Sequence, residues 1–259
     1  MKTPYVVPLG VAAALTTLEH ANSFLAVARE GRYWLVDCAD NPIGRLQHAG
    51  LDPLAVQGII ITHLHPDHVY GLPAYLLGLV LLGFAEGHAL ERGVSIYALP
   101  EVLAGIRDLL AVFKNQKWLD TLPVSYHAIV PEEGVRVHED ADFSITAAPT
   151  CHGIPSLALR FMDRATGHAC VYSSDTALCP AVERLAQNAA LLFHEAIDGS
   201  PSHTPPAEVG ALAARAAVER LVLMHYYPTP DIMQATLEAA SKTFGGPTEL
   251  AREFQRYPW

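Results

Sequence analysis

Three histidines and one carboxylate fall within six residues: His63, His65, Asp67 and His68, in the segment Thr62-His63-Leu64-His65-Pro66-Asp67-His68. Directly before them stands Gly58-Ile59-Ile60-Ile61-Thr62, an apolar β-branched run that reads as a buried strand. Side chains two apart in an extended segment point the same way, so His63 and His65 can grip one ion together. Pro66 stops the strand, and Asp67 and His68 follow the turn to reach a second ion beside the first. Neutral imidazole and carboxylate are ligands that zinc and other borderline divalent metals accept. The competing reading is a solvated His-rich loop; the position directly after a buried strand argues against it.

The elements that must carry such a loop can be read from pattern. Residues 23–28 and 33–37 flank Glu30-Gly31-Arg32 and predict a β-hairpin. A short helix is expected over 42–49, and 51–56 leads into the motif strand. Residues 70–85 predict a helix that is apolar around most of its surface, which makes it a core helix or a dimer surface. Strands are expected over 94–98, 135–137, 143–148, 156–161, 169–173, 191–193 and 221–224. Helices are expected over 100–113, 179–186 and 231–243, and one starting at Thr204 as cap with Pro205 and Pro206 in its first turn, running to 217. This pattern gives a mixed α and β chain with no strong repeat and no linker, read as a single domain over 1–259.

The composition sets limits. Of 259 residues 51% are hydrophobic and 17% charged, with mean hydropathy +0.20, so a sizeable core can form. A net charge of −10 argues against broad non-specific binding to nucleic acid. It leaves room for a local basic groove, and Lys114, Lys117 and Trp118 form a compact basic-aromatic cluster, read here as a solvated loop. Cys38, Cys151, Cys170 and Cys179 show no paired spacing, which predicts reduced thiols and a cytoplasmic protein. Lys2 and Ala12-Ala13-Ala14 imitate a signal peptide, but Pro8 and Gly10 interrupt the apolar run and a first strand is expected instead. The apolar stretch 72–85 is shorter than the ~20 residues that a membrane span needs, so no membrane association is expected.

The segment His63-Leu64-His65-Pro66-Asp67-His68 is similar to the His-x-His-x-Asp-His signature of the metallo-β-lactamase-fold hydrolases. That resemblance implies an α+β chain folded as a four-layer αββα sandwich, with a two-metal site. Three further residues stand where the family places ligands, each at the end of an apolar strand: His152 in Pro149-Thr150-Cys151-His152-Gly153, Asp175 in Ser173-Ser174-Asp175, and His225 after Leu221-Val222-Leu223-Met224. The implied sets are His63, His65, His152 and Asp175 for one metal, and Asp67, His68, Asp175 and His225 for the other. Two ions ~3.5–4 Å apart lower the pKa of a shared water toward neutrality, and Asp67 would orient it. His65 stands where the oxygen-reducing diiron branch has glutamate, which favours two zinc ions, with manganese or iron as alternatives. Asp175 in place of cysteine speaks against the zinc β-lactamases.

Two motifs resemble the RNase Z branch in particular. Leu192-Phe193-His194-Glu195-Ala196 is similar to its His-Glu-Ala motif, and His203-Thr204 to its later histidine motif. The implied roles are proton donation or phosphate contact by His203, with Glu195 orienting it; imidazole near its own pKa suits protonation of a leaving alkoxide. His194 is read as a packing residue. The chain departs from that branch in two places. Only residues 153–174 separate His152 from Asp175, so the long arm of tRNA-processing enzymes is missing, and Pro8-Leu9-Gly10-Val11-Ala12 holds one glycine where the family has Gly-x-Gly. The resulting expectation is a dinuclear zinc phosphodiesterase acting on a small phosphodiester or RNA, with substrate selection by segments 83–99 and 114–126 and a homodimer through the apolar helix. Carboxylester, thioester or lactone hydrolysis on the same fold, and a non-catalytic metal-stabilised binding module, are the alternatives.

Overall fold

The computed structural model of the chain describes residues 3–85, 87 and 93–259. Lys2, and residues 86 and 88–92 of the 83–99 segment, lie outside the described residues. The chain divides into two compact units. The first comprises residues 1–10, 21–129 and 253–258, and the second 11–20, 130–252 and Trp259.

The first unit is built on a seven-stranded sheet. Its strands are β1 (Tyr5–Gly10), β2 (Phe24–Arg29), β3 (Arg32–Val36), β4 (Val56–Ile60), β5 (Val94–Ala98), β6 (Val124–Ala128) and, from the far end of the chain, β14 (Tyr257–Pro258). The order is β14-β1-β2-β3-β4-β5-β6. Pairing is antiparallel from β14 to β3 and parallel from β3 to β6. Each parallel step needs a crossover. These are supplied by α1 (Pro42–His48), by α2 (Pro66–Val69) with α3 (Leu72–Ala85), and by α4 (Pro100–Val112) with α5 (Gln116–Leu119). The carboxyl ends of parallel strands are where α/β sheets place their ligands, and both Asp37, after β3, and His63, after β4, lie there.

Helix α3 buries Leu72, Tyr75, Leu76, Leu79, Val80 and Gly83, the i, i+3, i+4 face of a core helix. Leu81 and Phe84 on its other side are 49% and 59% exposed. The buried phenols at its foot are satisfied: Tyr33 and Tyr75 both donate to the Pro53 carbonyl and lie 3.0 Å apart. Helix α3 has the 14 residues expected of the apolar stretch; taken together with α2, the residues Pro66–Ala85 reach a length and apolarity compatible with crossing a membrane. Yet 56% of that window is buried inside the protein, as in a core helix.

The second unit carries β7 (Val135–Glu139), β8 (Phe143–Pro149), β9 (Leu157–Asp163), β10 (Ala169–Tyr172), β11 (Leu191–Glu195), β12 (Leu221–Met224) and β13 (Thr248–Leu250). Its order is β13-β12-β11-β10-β9-β8-β7. Pairing is antiparallel from β7 to β10 and parallel from β10 to β13. The crossovers are α6 (Pro180–Leu185), α7 (Pro206–Arg215) and α8 (Pro230–Phe244). Small residues such as Ala186, Ala189, Ala213, Ala216 and Ala240 fill much of the core between helices and sheet. They allow close approach: a Cβ on Gly210 of α7 would stand 2.2 Å from the Ala240 carbonyl oxygen of α8, so only glycine fits there.

Several sequence expectations are refined. The motif strand ends at Ile60, well before Pro66, and Pro66 opens α2, so Asp67 and His68 sit on a helical turn. Proline suits that first position because its missing N–H has no helical partner in any case. Thr204 does not cap α7, whose N-cap position is Pro205 with no side-chain bond; its hydroxyl donates instead to the Thr176 carbonyl at 2.7 Å. Strands β6, β13 and β14 were not expected, being half-exposed or only two or three residues long.

Candidate metal-ligand sets

In the first unit the ligand candidates are held from behind by one buried aspartate. Asp37, at φ 61°, sits in left-handed backbone directly after β3. Its Oδ1 accepts from the Thr62 backbone N–H at 2.8 Å and from the Thr62 hydroxyl at 2.9 Å. Its Oδ2 accepts from His68 Nδ1 at 2.8 Å, with both side chains fully buried. The Thr62 oxygen lies 3.0 Å from His63 Nδ1 and accepts from it, its own proton going to Asp37. Both rings therefore carry their proton on Nδ1 and turn Nε2 outward as a lone pair. That is the tautomer a metal-binding histidine needs.

The front of this set is rich in electron pairs. His68 Nε2 is 3.7 Å from Asp67 Oδ2, and His63 Nε2 is 3.1 Å from His65 Nδ1. The rings of His63 and His68 stand 4.1 Å apart. Helix α2 is tied to the β3 end by Cys38 N–H to the His68 carbonyl and Gly71 N–H to the Cys38 carbonyl. From the far side, Leu64 lies on α4 at Gly105, where a Cβ would come within 2.2 Å of Leu64 Cδ2.

In the second unit the ends of four strands meet at one edge. Strands β8 and β10 both run antiparallel to β9 and so point the same way, and β11 and β12 are parallel to β10. His152, Asp175, Glu195 and His225 follow from these four carboxyl ends. The loop at 150–152 is stitched to 175–177: Thr150 donates to the Asp175 carbonyl, and Ala177 N–H to the Cys151 carbonyl. His152 Nδ1 donates to the Ser202 carbonyl at 3.0 Å, leaving Nε2 4.0 Å from Asp175 Oδ2. His225 Nε2 lies 3.3 Å from Asp175 Oδ1. Ser174 and His225 both adopt left-handed backbone, at φ 53° and 51°. Such geometry costs about 1–3 kcal/mol per residue and clusters at functional sites. The His225 N–H is held by the Val11 carbonyl.

Beside these ligands stands a second arrangement. Glu195 is fully buried, and its Oε1 accepts from Thr176 N–H at 3.0 Å, Thr204 N–H at 3.2 Å and His203 Nδ1 at 3.0 Å. Burial, and next the charge of Asp175, push the Glu195 carboxyl well above its usual range, opposed by His225 and the two N–H donors. The ring of His203 stacks on that of His225 at 5.6 Å, and ligand atoms of Asp175, His203 and His225 lie within 4.8 Å of one another. His194 is a buried packing residue. Its Nδ1 donates to the Glu195 carbonyl at 2.7 Å, its Nε2 has no hydrogen-bond partner, and burial lowers its pKa to about 4.

Each unit thus turns imidazole lone pairs and carboxylate oxygens toward one another, which suits a divalent cation. Sequence reasoning missed Asp37. The signal was there, an aspartate ending the strand Tyr33-Trp34-Leu35-Val36, but it lies outside the motif and contacts it only through the fold.

The chain is similar to known proteins in sequence and in fold. Ribonuclease Z of Methanothermobacter thermautotrophicus is 26% identical, with 91% of each chain covered. The metallo-β-lactamase fold protein YhfI from Bacillus subtilis superposes with a TM-score of 0.81 at 20% identity over the whole of both chains. Human tRNase Z, short form, gives 0.76 at 23% identity, covering 97% of this chain and 98% of that one. The chain therefore has the metallo-β-lactamase fold and is RNase Z-like in sequence. The family described as Anti-Pycsar protein Apyc1 matches residues 5–244, nearly the full length, and the chain belongs to that family.

Proposed function

We propose that the protein is a metal-dependent phosphodiesterase that cleaves a small phosphodiester, such as a nucleotide, cyclic or short-chain ester. His63, His65, His152 and Asp175 would hold one divalent ion, and Asp67, His68, Asp175 and His225 a second, with zinc favoured over manganese or iron. When bound, such a pair supplies an acidified water and electrophilic charge for the phosphoryl oxygens. The chain's own residues do the rest. Asp67 orients the attacking water, and Asp37 holds His63 and His68 in the ligating tautomer. His203 carries a proton on Nδ1 toward Glu195 and has Nε2 available for the departing oxygen or the phosphate.

The observation that carries this reading is the Glu195–His203 pair. A buried carboxylate with three donors on one oxygen is a costly way to fix a single imidazole, and hydrolysis of carboxylic esters by two metals does not need it. The relatives named Ribonuclease Z support phosphodiester chemistry. Residues 153–174 hold only the β9–β10 hairpin, which supports a substrate smaller than tRNA. The exposed Leu81 and Phe84 support a homodimer through the end of α3. Four free thiols support action in the reducing cytoplasm.

The test is hydrolysis of bis(p-nitrophenyl) phosphate, a thioester and a lactone on one preparation, with metal content measured in parallel. Preferential phosphodiester turnover that is lost in His203→Ala with metals retained is the expected result. Turnover confined to the carboxyl substrates and indifferent to His203 would move the protein to the esterase reading.

A further inference from the structure

The first unit contains a cavity of about 730 Å³ between α4, α5 and β6. Arg107, Lys114 and Lys117 line it together with Leu110, Leu119 and Tyr126, and among the described residues no carboxylate lines it. In a chain of net charge −10, three cations gathered with no acid among the described lining residues are an unusual local excess. Among the described residues none of the three forms an ion pair. The Arg107 guanidinium lies over the Tyr126 ring, 4.5 Å from its centroid. Lys114 takes left-handed backbone at φ 53°, which turns the chain from α4 into α5 and brings Lys117 to the same cavity. The volume falls within the ~300–1,000 Å³ range of small-ligand sites.

These features match the two halves of a nucleotide. Lysine ammonium groups are point charges for phosphate. A guanidinium plane backed by an aromatic ring is a stacking surface for a base, and leucines supply apolar walls. We propose that this cavity binds one nucleotide unit, its phosphate on Lys114 and Lys117 and its base on the Arg107–Tyr126 stack. The occupant is either a free nucleotide or one residue of a single-stranded RNA; the recognising chemistry is the same. This inference goes beyond the hydrolytic reading and does not depend on it.

The test is calorimetric titration of the metal-loaded full chain with 5′-AMP and with a nuclease-resistant phosphorothioate pentauridylate, at low and moderate salt. Saturable binding is expected, weakened at least ~10-fold in Lys114→Ala/Lys117→Ala and reduced by salt in proportion to the phosphates contacted. Arg107→Lys keeps the charge and should retain phosphate affinity while losing discrimination between AMP and inorganic phosphate. Tighter binding of AMP assigns the site to free nucleotides, and tighter binding of the pentauridylate to RNA. Metal content of the same variants, measured in parallel, reads the candidate metal ligands separately. No saturable binding of either probe, equal affinity in wild type and the double variant with unchanged melting, or a change of oligomeric state in place of a change in binding would overturn the proposal.

Discussion

Asp37 Oδ2 lies 2.8 Å from His68 Nδ1, and through Thr62 the same carboxylate fixes the ring of His63. One residue outside the motif thus sets the tautomer of two candidate ligands. Partners of this kind behind ligating histidines typically govern metal affinity and activity by 10–100-fold when removed, as an order of magnitude. Asp37→Ala is expected to lower metal affinity by about that factor. It should also destabilise the protein by roughly 1–3 kcal/mol, since buried donors lose their acceptor. Metal content after dialysis against a graded chelator, with a parallel melting curve, checks both effects.

His203→Ala is expected to lower phosphodiester turnover by about 10²–10⁴, the usual contribution of a positioned acid, while both metals stay bound. Glu195→Ala should have a wider effect, because Thr176 and Thr204 N–H groups would lose their buried acceptor along with His203. Turnover, metal content and melting temperature measured on both variants separate the chemical role from the structural one. Equal melting losses in the two would contradict the asymmetry.

Gly105 of α4 packs against the Leu64 side chain of the candidate ligand loop. A methyl group at residue 105 would meet Leu64 Cδ2 at 2.2 Å, so the Leu64 side chain or the segment that carries His63 and His65 must shift. Gly105→Ala is expected to cost about 1–3 kcal/mol by overpacking and to weaken metal binding. Trimming the obstacle in Gly105→Ala/Leu64→Ala should restore affinity even where stability is not regained. Affinity that stays low in the double variant would show that the loop is not placed by this contact.

His194 makes stability depend on acidity. Burial lowers its pKa from an ordinary value near 6.5 to about 4 in the folded protein. The unfolded chain therefore gains a proton first as pH falls, and stability present above about pH 6.5 is lost progressively down to about pH 4. At pH 5 the loss attributable to this residue is on the order of 2 kcal/mol. Replacement by phenylalanine, which titrates nowhere in this range, should flatten the denaturation midpoint between pH 7 and 5 relative to the wild type. An unchanged slope would assign the acid sensitivity to other groups.

The candidate ligand residues stand out in the sequence because each follows a strongly apolar strand, and such strands announce themselves by composition. His63 after Ile59-Ile60-Ile61, Asp175 after Val171-Tyr172 and His225 after Leu221-Val222-Leu223-Met224 share that signature. Asp37 has the same signature, but nothing local says that His68 will be its partner 31 residues later. Thr204 was misread because a threonine before Pro-Pro has the pattern of a cap, while tertiary structure offered its hydroxyl the Thr176 carbonyl. Strand β6 was invisible for a different reason: it is an edge, its burial alternates weakly, and a half-exposed strand lacks the apolar run that marked the others. Lys114 and Lys117 stand out in the sequence as a basic cluster and read as a solvated loop; that Arg107 of another helix joins them at one cavity is legible only in the fold.

The pairing of β14 with β1 joins Tyr5 to Pro258, almost the full length of the chain. During synthesis β1 must wait for its outer neighbour β14 until the residues between them have been made. Until then the N–H and C=O row on that side of β1 is open to pairing with another chain. Contacts of such sequence separation also slow folding, because the entropy of closing the loop is lost before the contact is gained. In the sheet of the second unit the seven strands pair in chain order from Val135 to Leu250. Each of these strands can pair with the one made just before it, so that sheet grows through contacts of shorter sequence separation than the β1–β14 pair.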